Sequence, residues 1–224
     1  TGVIFLNPMH GYSGGSEEKY LTADEYLSGN VREKLEWAKR SAELYPEDYT
    51  AHVQALERVQ PVDLTASEIA VRLGATWLPT EVIDQFIYEL FGTSPRSQRM
   101  IRSHYSQHTG AWNIESKFAD RGNIKAENTY GTTRVNGYKI IEETLNLRDL
   151  RIFDYVEDEH GNRVPVLNKK ETAIAQGKQE LIKQAFQDWI WKDPARRERL
   201  TRLYNDKFNS TRPREYDGSH LNFV

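Results

Sequence analysis

The chain has no cysteine among its 224 residues, so no disulfide can staple it and no thiolate can hold a metal. This fits a reducing compartment, and the cytoplasm is the expected location. No apolar run approaches the roughly 18 residues of a bilayer-spanning helix, and no basic-then-apolar leader opens the sequence. A membrane partner is therefore not expected. Nucleotide and acyl-transfer signatures are missing as well: Gly14-Gly15 leads to no Gly-Lys-Ser/Thr, and no Gly-x-Ser-x-Gly marks a serine nucleophile. Repeats, heptad runs and low-complexity tracts are also absent.

What is present can build a core. Hydrophobic residues make up 38% of the chain, with five Trp, twelve Tyr and eight Phe, a composition that argues against disorder. The 28% of charged residues and a mean hydropathy of −0.73 imply a wet surface. Such a chain forms one large domain or two small ones. It starts at Thr1 and stops after Asn222-Phe-Val224, which reads as extended, and this suggests a piece of something longer.

The net charge of −3 hides a segregation. Residues 1–94 hold 7 Lys+Arg against 15 Asp+Glu, whereas 95–141 hold 8 against 3 and 192–214 again 8 against 3. Segregated charge marks either a polyanion-binding face or domains that dock on one another.

Along the chain, Val3 to Leu6 is β-prone and leads into a turn-rich stretch through Ser13-Gly-Gly-Ser, read as a mobile loop. Thr22 with Glu25, and Asn30 with Glu33, have capping-box spacing. The second begins a helix that buries Val31, Leu35, Ala38 and Ala42 and halts near Pro46; another follows from Asp48 to Val59. Pro79 and Gly92 bracket a core helix with the stripe Val82, Ile83, Phe86, Ile87, Leu90. The period then changes to that of a hairpin, Met100 to Tyr105 with Ala111 to Glu115. A polar stretch, a helix carrying Val135, Tyr138, Ile141 and Leu145, and a second hairpin with an acidic tip at Glu157, Asp158 and Glu159 come next. Asn168 caps a long helix to Trp191 with the stripe Ile174, Leu181, Ala185, Phe186, Trp189, and Asp193-Pro194 starts the last helix. The expected fold is α+β: a helical part over 1–94, then two hairpins packed with three helices over 95–224.

No catalytic constellation emerges. Asn7-Pro-Met-His10 resembles the Asn-Pro-Pro-aromatic loop of adenine methyltransferases, but Met9 and His10 replace its second proline and its aromatic, so a turn after a strand is the better reading. His104 and His108 sit on a strand and turn, about 13 Å apart if extended, and do not share a metal. The acidic tip lacks the ligand spacing of a calcium loop. No cofactor or metal is expected. In the basic segment, Arg199 and Arg202 point away from the apolar side of the last helix, Arg202 has an i, i+4 partner in Asp206, and Arg212 and Arg214 lie beyond the helix.

The strings Val71-Arg-Leu-Gly-Ala-Thr-Trp77, Tyr130-Gly-Thr, Leu145-Asn-Leu-Arg-Asp149, Val166-Leu-Asn-Lys-Lys-Glu-Thr172, Asp188-Trp-Ile-Trp191 and Arg212-Pro-Arg-Glu-Tyr-Asp-Gly-Ser-His220 resemble a region of very large proteins of bacterial conjugative elements and phages. Those proteins join an adenine-specific DNA methyltransferase-like part to a Swi/Snf-related, DEAD/DEAH-type helicase part. The resemblance runs from about Tyr20 to the end and implies a position just before the helicase core. Neither the methyl-donor site nor the ATP site maps onto a residue here. The expectation is a non-catalytic, DNA-contacting module that holds backbone phosphates through Arg199, Arg202, Lys207, Arg212 and Arg214, with Arg121 and Lys125 as a second group. The alternative is a docking module between the methyltransferase-like and helicase parts, without DNA contact.

Overall fold

The computed structural model describes residues 3–11 and 17–214. The Ser13-Gly-Gly-Ser loop, the extended reading of the last three residues and the Glu215 to His220 end of the final resemblance string lie outside them. In chain order the elements are β1 (Ile4–Leu6), β2 (Tyr20–Thr22), α1 (Ala23–Tyr26), β3 (Gly29–Asn30), α2 (Val31–Leu44), α3 (Pro46–Glu57), α4 (Thr80–Phe91) and α5 (Pro95–Gln98). They continue with β4 (Arg102–Ser106), β5 (Ala111–Glu115), a 3-10 turn (Lys117–Asp120), a π-turn (Lys125–Thr129) and α6 (Gly137–Leu145). The last are β6 (Phe153–Glu157), β7 (Arg163–Leu167), α7 (Lys169–Ile190), α8 (Pro194–Phe208) and β8 (Thr211–Arg212). The fold is α+β, with β1–β2, β3–β8, β4–β5 and β6–β7 as two-stranded antiparallel sheets.

Two compact units result, one of Thr1–Ile69 with Thr201–Val224 and one of Ala70–Leu200. The sequence predicts a boundary after residue 94. The structure assigns α4 to the second unit because it packs on β4 and α7, and because the Asp84 carboxylate accepts the Ser103 N–H at 2.6 Å.

The first unit is built around Phe5, Tyr26, Val31, Leu35, Ala38 and Leu56. The rings of Phe5 and Tyr26 stack at 4.5 Å, and the Tyr26 hydroxyl meets His52 Nδ1 at 3.2 Å. Helix α1 opens with the expected capping box but stays one turn long. At its end Lys34 Nζ donates to the carbonyls of Glu25 and Ser28, at 2.6 and 2.8 Å, and so satisfies acceptors that further helix would have used. The segment after α8 returns to this unit as β8, Arg212 opposite Gly29. Asn205 fastens it by bonding both the N–H and the carbonyl of Leu64.

In the second unit, α4 buries Val82, Ile83, Phe86 and Ile87, as its stripe implies. Helix α7 turns a different face inward than its apolar residues suggest. Thr172, Ala175, Gln179, Ile182, Phe186 and Ile190 are buried, whereas Ile174 and Leu181 are 43% and 54% exposed. The irregular segment after α6 explains this, because its backbone has no sheet or helix to satisfy it. The Thr172 hydroxyl accepts the Ile152 N–H at 2.9 Å, and Gln179 Nε2 donates to the Arg148 carbonyl at 2.8 Å. The face of α7 that meets this segment must therefore be partly polar. Trp189 does not form an exposed patch: it packs on Phe86, and its indole N–H reaches Glu89 at 2.6 Å.

Two of the resemblance strings, residues 71–77 and 145–149, meet at Gly74. Its φ is +94°, and a Cβ there would stand 2.5 Å from the Leu145 carbonyl oxygen. Gly74→Ala is expected to lower stability by roughly 2–3 kcal/mol through strained backbone and a forced shift. The urea midpoint of the chain reads this directly, and an unchanged midpoint would contradict it.

Candidate nucleic-acid interface

The second unit carries its exposed cations on segments that buried polar groups hold in place. After β5, Ser116 adopts a left-handed conformation (φ 53°) and turns the chain into the 3-10 turn. Glu142 of α6 anchors this exit. Its carboxylate accepts the Ile114 N–H at 2.9 Å, pairs with Lys117, and lies 2.9 Å from Lys139 Nζ. Burial alone would raise the Glu142 pKa, but the Ile114 N–H and the two lysines outweigh it and hold the group below its ordinary 4.5.

Two further bonds place the turn against the end of α4. Ser97 Oγ of α5 donates to the Ala119 carbonyl at 2.9 Å, and Asn123 Nδ2 donates to the Phe91 carbonyl at 3.1 Å. Asp120, the acid within the turn, faces inward: its carboxylate accepts the Tyr138 hydroxyl at 2.6 Å and Asn123 Nδ2 at 2.7 Å. Burial, then this bond to Asp120, raises the Tyr138 pKa well above the phenolic norm. Glu127 uses Oε1 to accept the Gly122 N–H at 2.8 Å. The π-turn closes with Tyr130 N–H donating to the Lys125 carbonyl at 2.8 Å, and it has no room for a side chain at Gly131, where a Cβ would stand 2.3 Å from the Ala126 carbonyl oxygen.

These contacts leave Arg96, Arg121 and Lys125 exposed, and none of the three makes an ion pair among the described residues. Lys125 Nζ lies near Gly92, at the end of α4 where the helix dipole favours a cation. The sequence reading identified Arg121 and Lys125 as the lesser group. It missed Arg96, whose position on a four-residue helix tied to the turn through Ser97 follows from no local pattern.

The larger group is more heavily committed. Arg202 bonds Asp206, with Nε to Oδ2 at 3.0 Å, and reaches Asp63 at 3.3 Å. Arg214 lies 3.5 Å from Glu25, and Arg199 stands 3.9 Å from Glu81. Arg212 is held in β8 and has further partners, while Lys207 is exposed without an ion pair among the described residues. Arg199, Arg121 and Lys125 belong to the second unit, and Arg202, Lys207, Arg212 and Arg214 to the first. Nearby Arg196 is buried, its guanidinium 3.5 Å above the Trp189 ring.

Other candidates resolve into structural roles. Asn7 spends its side chain on the Glu18 carbonyl (2.8 Å) and the Met9 N–H (3.0 Å), fixing the turn after β1. At the acidic tip, Asp158 accepts the N–H groups of His160 and Asn162, at 2.9 and 2.8 Å. A cavity of about 300 Å³ in the second unit is lined by Arg72, Arg148, Lys183 and one carboxylate, Asp149. Among the described residues no group of three His, Asp or Glu is placed to hold a metal, and no helix is long and apolar enough to cross a membrane.

The depressed Glu142 pKa has a consequence for stability. Its contribution is complete above the unfolded value of 4.5 and is lost as pH falls through the lower folded value. Glu142→Gln is expected to cost roughly 2 kcal/mol near neutrality, because it removes the charge that Lys117 pairs with and leaves Lys139 only Glu143, and to flatten the acid side of the stability profile. Urea midpoints across pH 3–7 test this; parallel profiles for the two proteins would contradict it.

No curated protein and no solved structure matches the chain. The family described as Domain of unknown function (DUF8437) matches residues 72–210, more than half of the sequence. That span contains Arg96, Arg121 and Lys125 with every element that positions them, and the chain belongs to the DUF8437 family.

Proposed function

We propose that the chain is a non-catalytic module that contacts DNA through backbone phosphates, within a larger protein of the methyltransferase and helicase kind that its sequence resembles. The observation that supports this is the set of exposed, unpaired Arg96, Arg121 and Lys125 on adjoining segments, beside an Asp120 carboxylate engaged by Tyr138 and Asn123. Unpaired cations can exchange counterions for phosphates without first breaking an internal pair. Arg202 and Arg214 would have to surrender theirs, so the contact shifts from the C-terminal arginines to the second unit, with Lys207 the freest of the original group. Binding of this kind tolerates sequence and weakens steeply with salt.

A second reading, docking between catalytic parts, draws on the β6–β7 hairpin. Its register sets Phe153 opposite Leu167 and Tyr155 opposite Pro165 on one face, and Val156 opposite Val164 on the other, and most of these side chains are exposed. Apolar surface on both faces of a hairpin suits a protein partner.

Fluorescence anisotropy with labelled DNA at two salt concentrations separates the readings. Arg96→Ala/Arg121→Ala/Lys125→Ala is expected to weaken binding at least tenfold and to reduce its salt dependence, while Arg199→Ala/Arg202→Ala/Arg212→Ala/Arg214→Ala keeps most of it. The reverse ranking would return the contact to the C-terminal segment. A folded protein that binds no DNA at low salt would favour docking.

A further inference from the structure

Phe118 is 80% exposed, although the backbone on both sides of it is pinned. Before it, Lys117 pairs with Glu142; after it, the Ala119 N–H donates to the Ser116 carbonyl at 2.8 Å and the Ala119 carbonyl accepts Ser97 Oγ at 2.9 Å. Fixed main chain under a solvent-facing ring is a preorganised surface, because little conformational freedom remains to be lost on binding. Ile124, 71% exposed, follows between the same turn and the π-turn.

The surroundings of the ring decide what it fits. Arg121 follows it by three residues, Lys125 lies on the π-turn, and Arg96 is on the helix that Ser97 ties to the turn. These cations have no carboxylate partner among the described residues, so the charge around Phe118 complements a polyanion rather than an acid-poor apolar protein surface. In duplex DNA the base faces are already stacked on one another. An unpaired base offers a free π-face, and aromatic stacking beside a cationic track is the general mode of single-strand binding.

We propose that Phe118 is a stacking platform for an unpaired base, so that this edge of the second unit prefers single-stranded to duplex DNA. The inference rests on the phosphate-contact reading above. Arg96, Arg121 and Lys125 hold the backbone, and Phe118 supplies the discrimination between strand forms.

The test uses the whole chain, a fluorescein-labelled oligothymidylate and a duplex of the same length. Phe118→Ala and Phe118→Leu are expected to weaken single-strand binding roughly tenfold, with duplex binding unchanged, and Phe118→Trp is expected to restore it. Leucine keeps an apolar side chain without the π-face, so it separates stacking from simple apolar contact. Unchanged single-strand binding in Phe118→Ala, beside loss of binding in Arg96→Ala/Arg121→Ala/Lys125→Ala, would overturn the stacking role and leave the phosphate reading intact. Equal losses on both DNA forms would also overturn it, and no binding of either form by the unaltered protein would remove the reading beneath it.

Discussion

The Glu142 carboxylate is the constraint on which the second unit's surface depends. Buried on α6, it takes the Ile114 N–H from β5 and draws in Lys117 and Lys139. A lone carboxylate at this depth would be costly, and the two ammonium groups and the N–H offset that cost together. One consequence is geometric: the strand, the 3-10 turn and the helix acquire a common register. The other is electrostatic: Lys117 is used internally, and the cations that follow it are left for solvent or a ligand.

Charge that looks available in a sequence is often spent in the fold. The segment 192–214 has an excess of positive side chains, yet its arginines meet acids far away along the chain. Arg202 reaches Asp63, Arg214 reaches Glu25, and Arg199 approaches Glu81. Exposed pairs of this kind add little stability individually, but each reduces the field that a phosphate would experience. Around the 3-10 turn the acids are the groups that find partners. Asp120 is held by Tyr138 and Asn123, and Glu127 by the Gly122 N–H.

The local signals in the sequence were legible because they are local. Asn30 and Asn168 each accept the N–H three residues on, and Gly92 takes the left-handed position that ends α4. The inward face of α7 was not legible, since Thr172 and Gln179 are buried to serve the backbone of a distant irregular segment. The pairing of β3 with β8 spans two residues on each side, too short to leave an alternation to read. For the interface, charge counting brought Arg121 and Lys125 into view but ranked them below arginines whose partners only the fold brings near. Phe118 left one faint signal, a single aromatic between Lys117 and Arg121 in an otherwise polar stretch.

Backbone amide shifts on titration with single-stranded DNA locate the contact most directly. The uniformly 15N-labelled chain would be titrated with a short oligothymidylate, roughly eight nucleotides long to suit a compact single-strand site, and the backbone amide shifts followed by NMR. The account predicts shifts concentrated at residues 96–100 and 116–125, on either side of the Ser97 to Ala119 bond. Shifts confined to residues 199–214, with the turn unaffected, would contradict it.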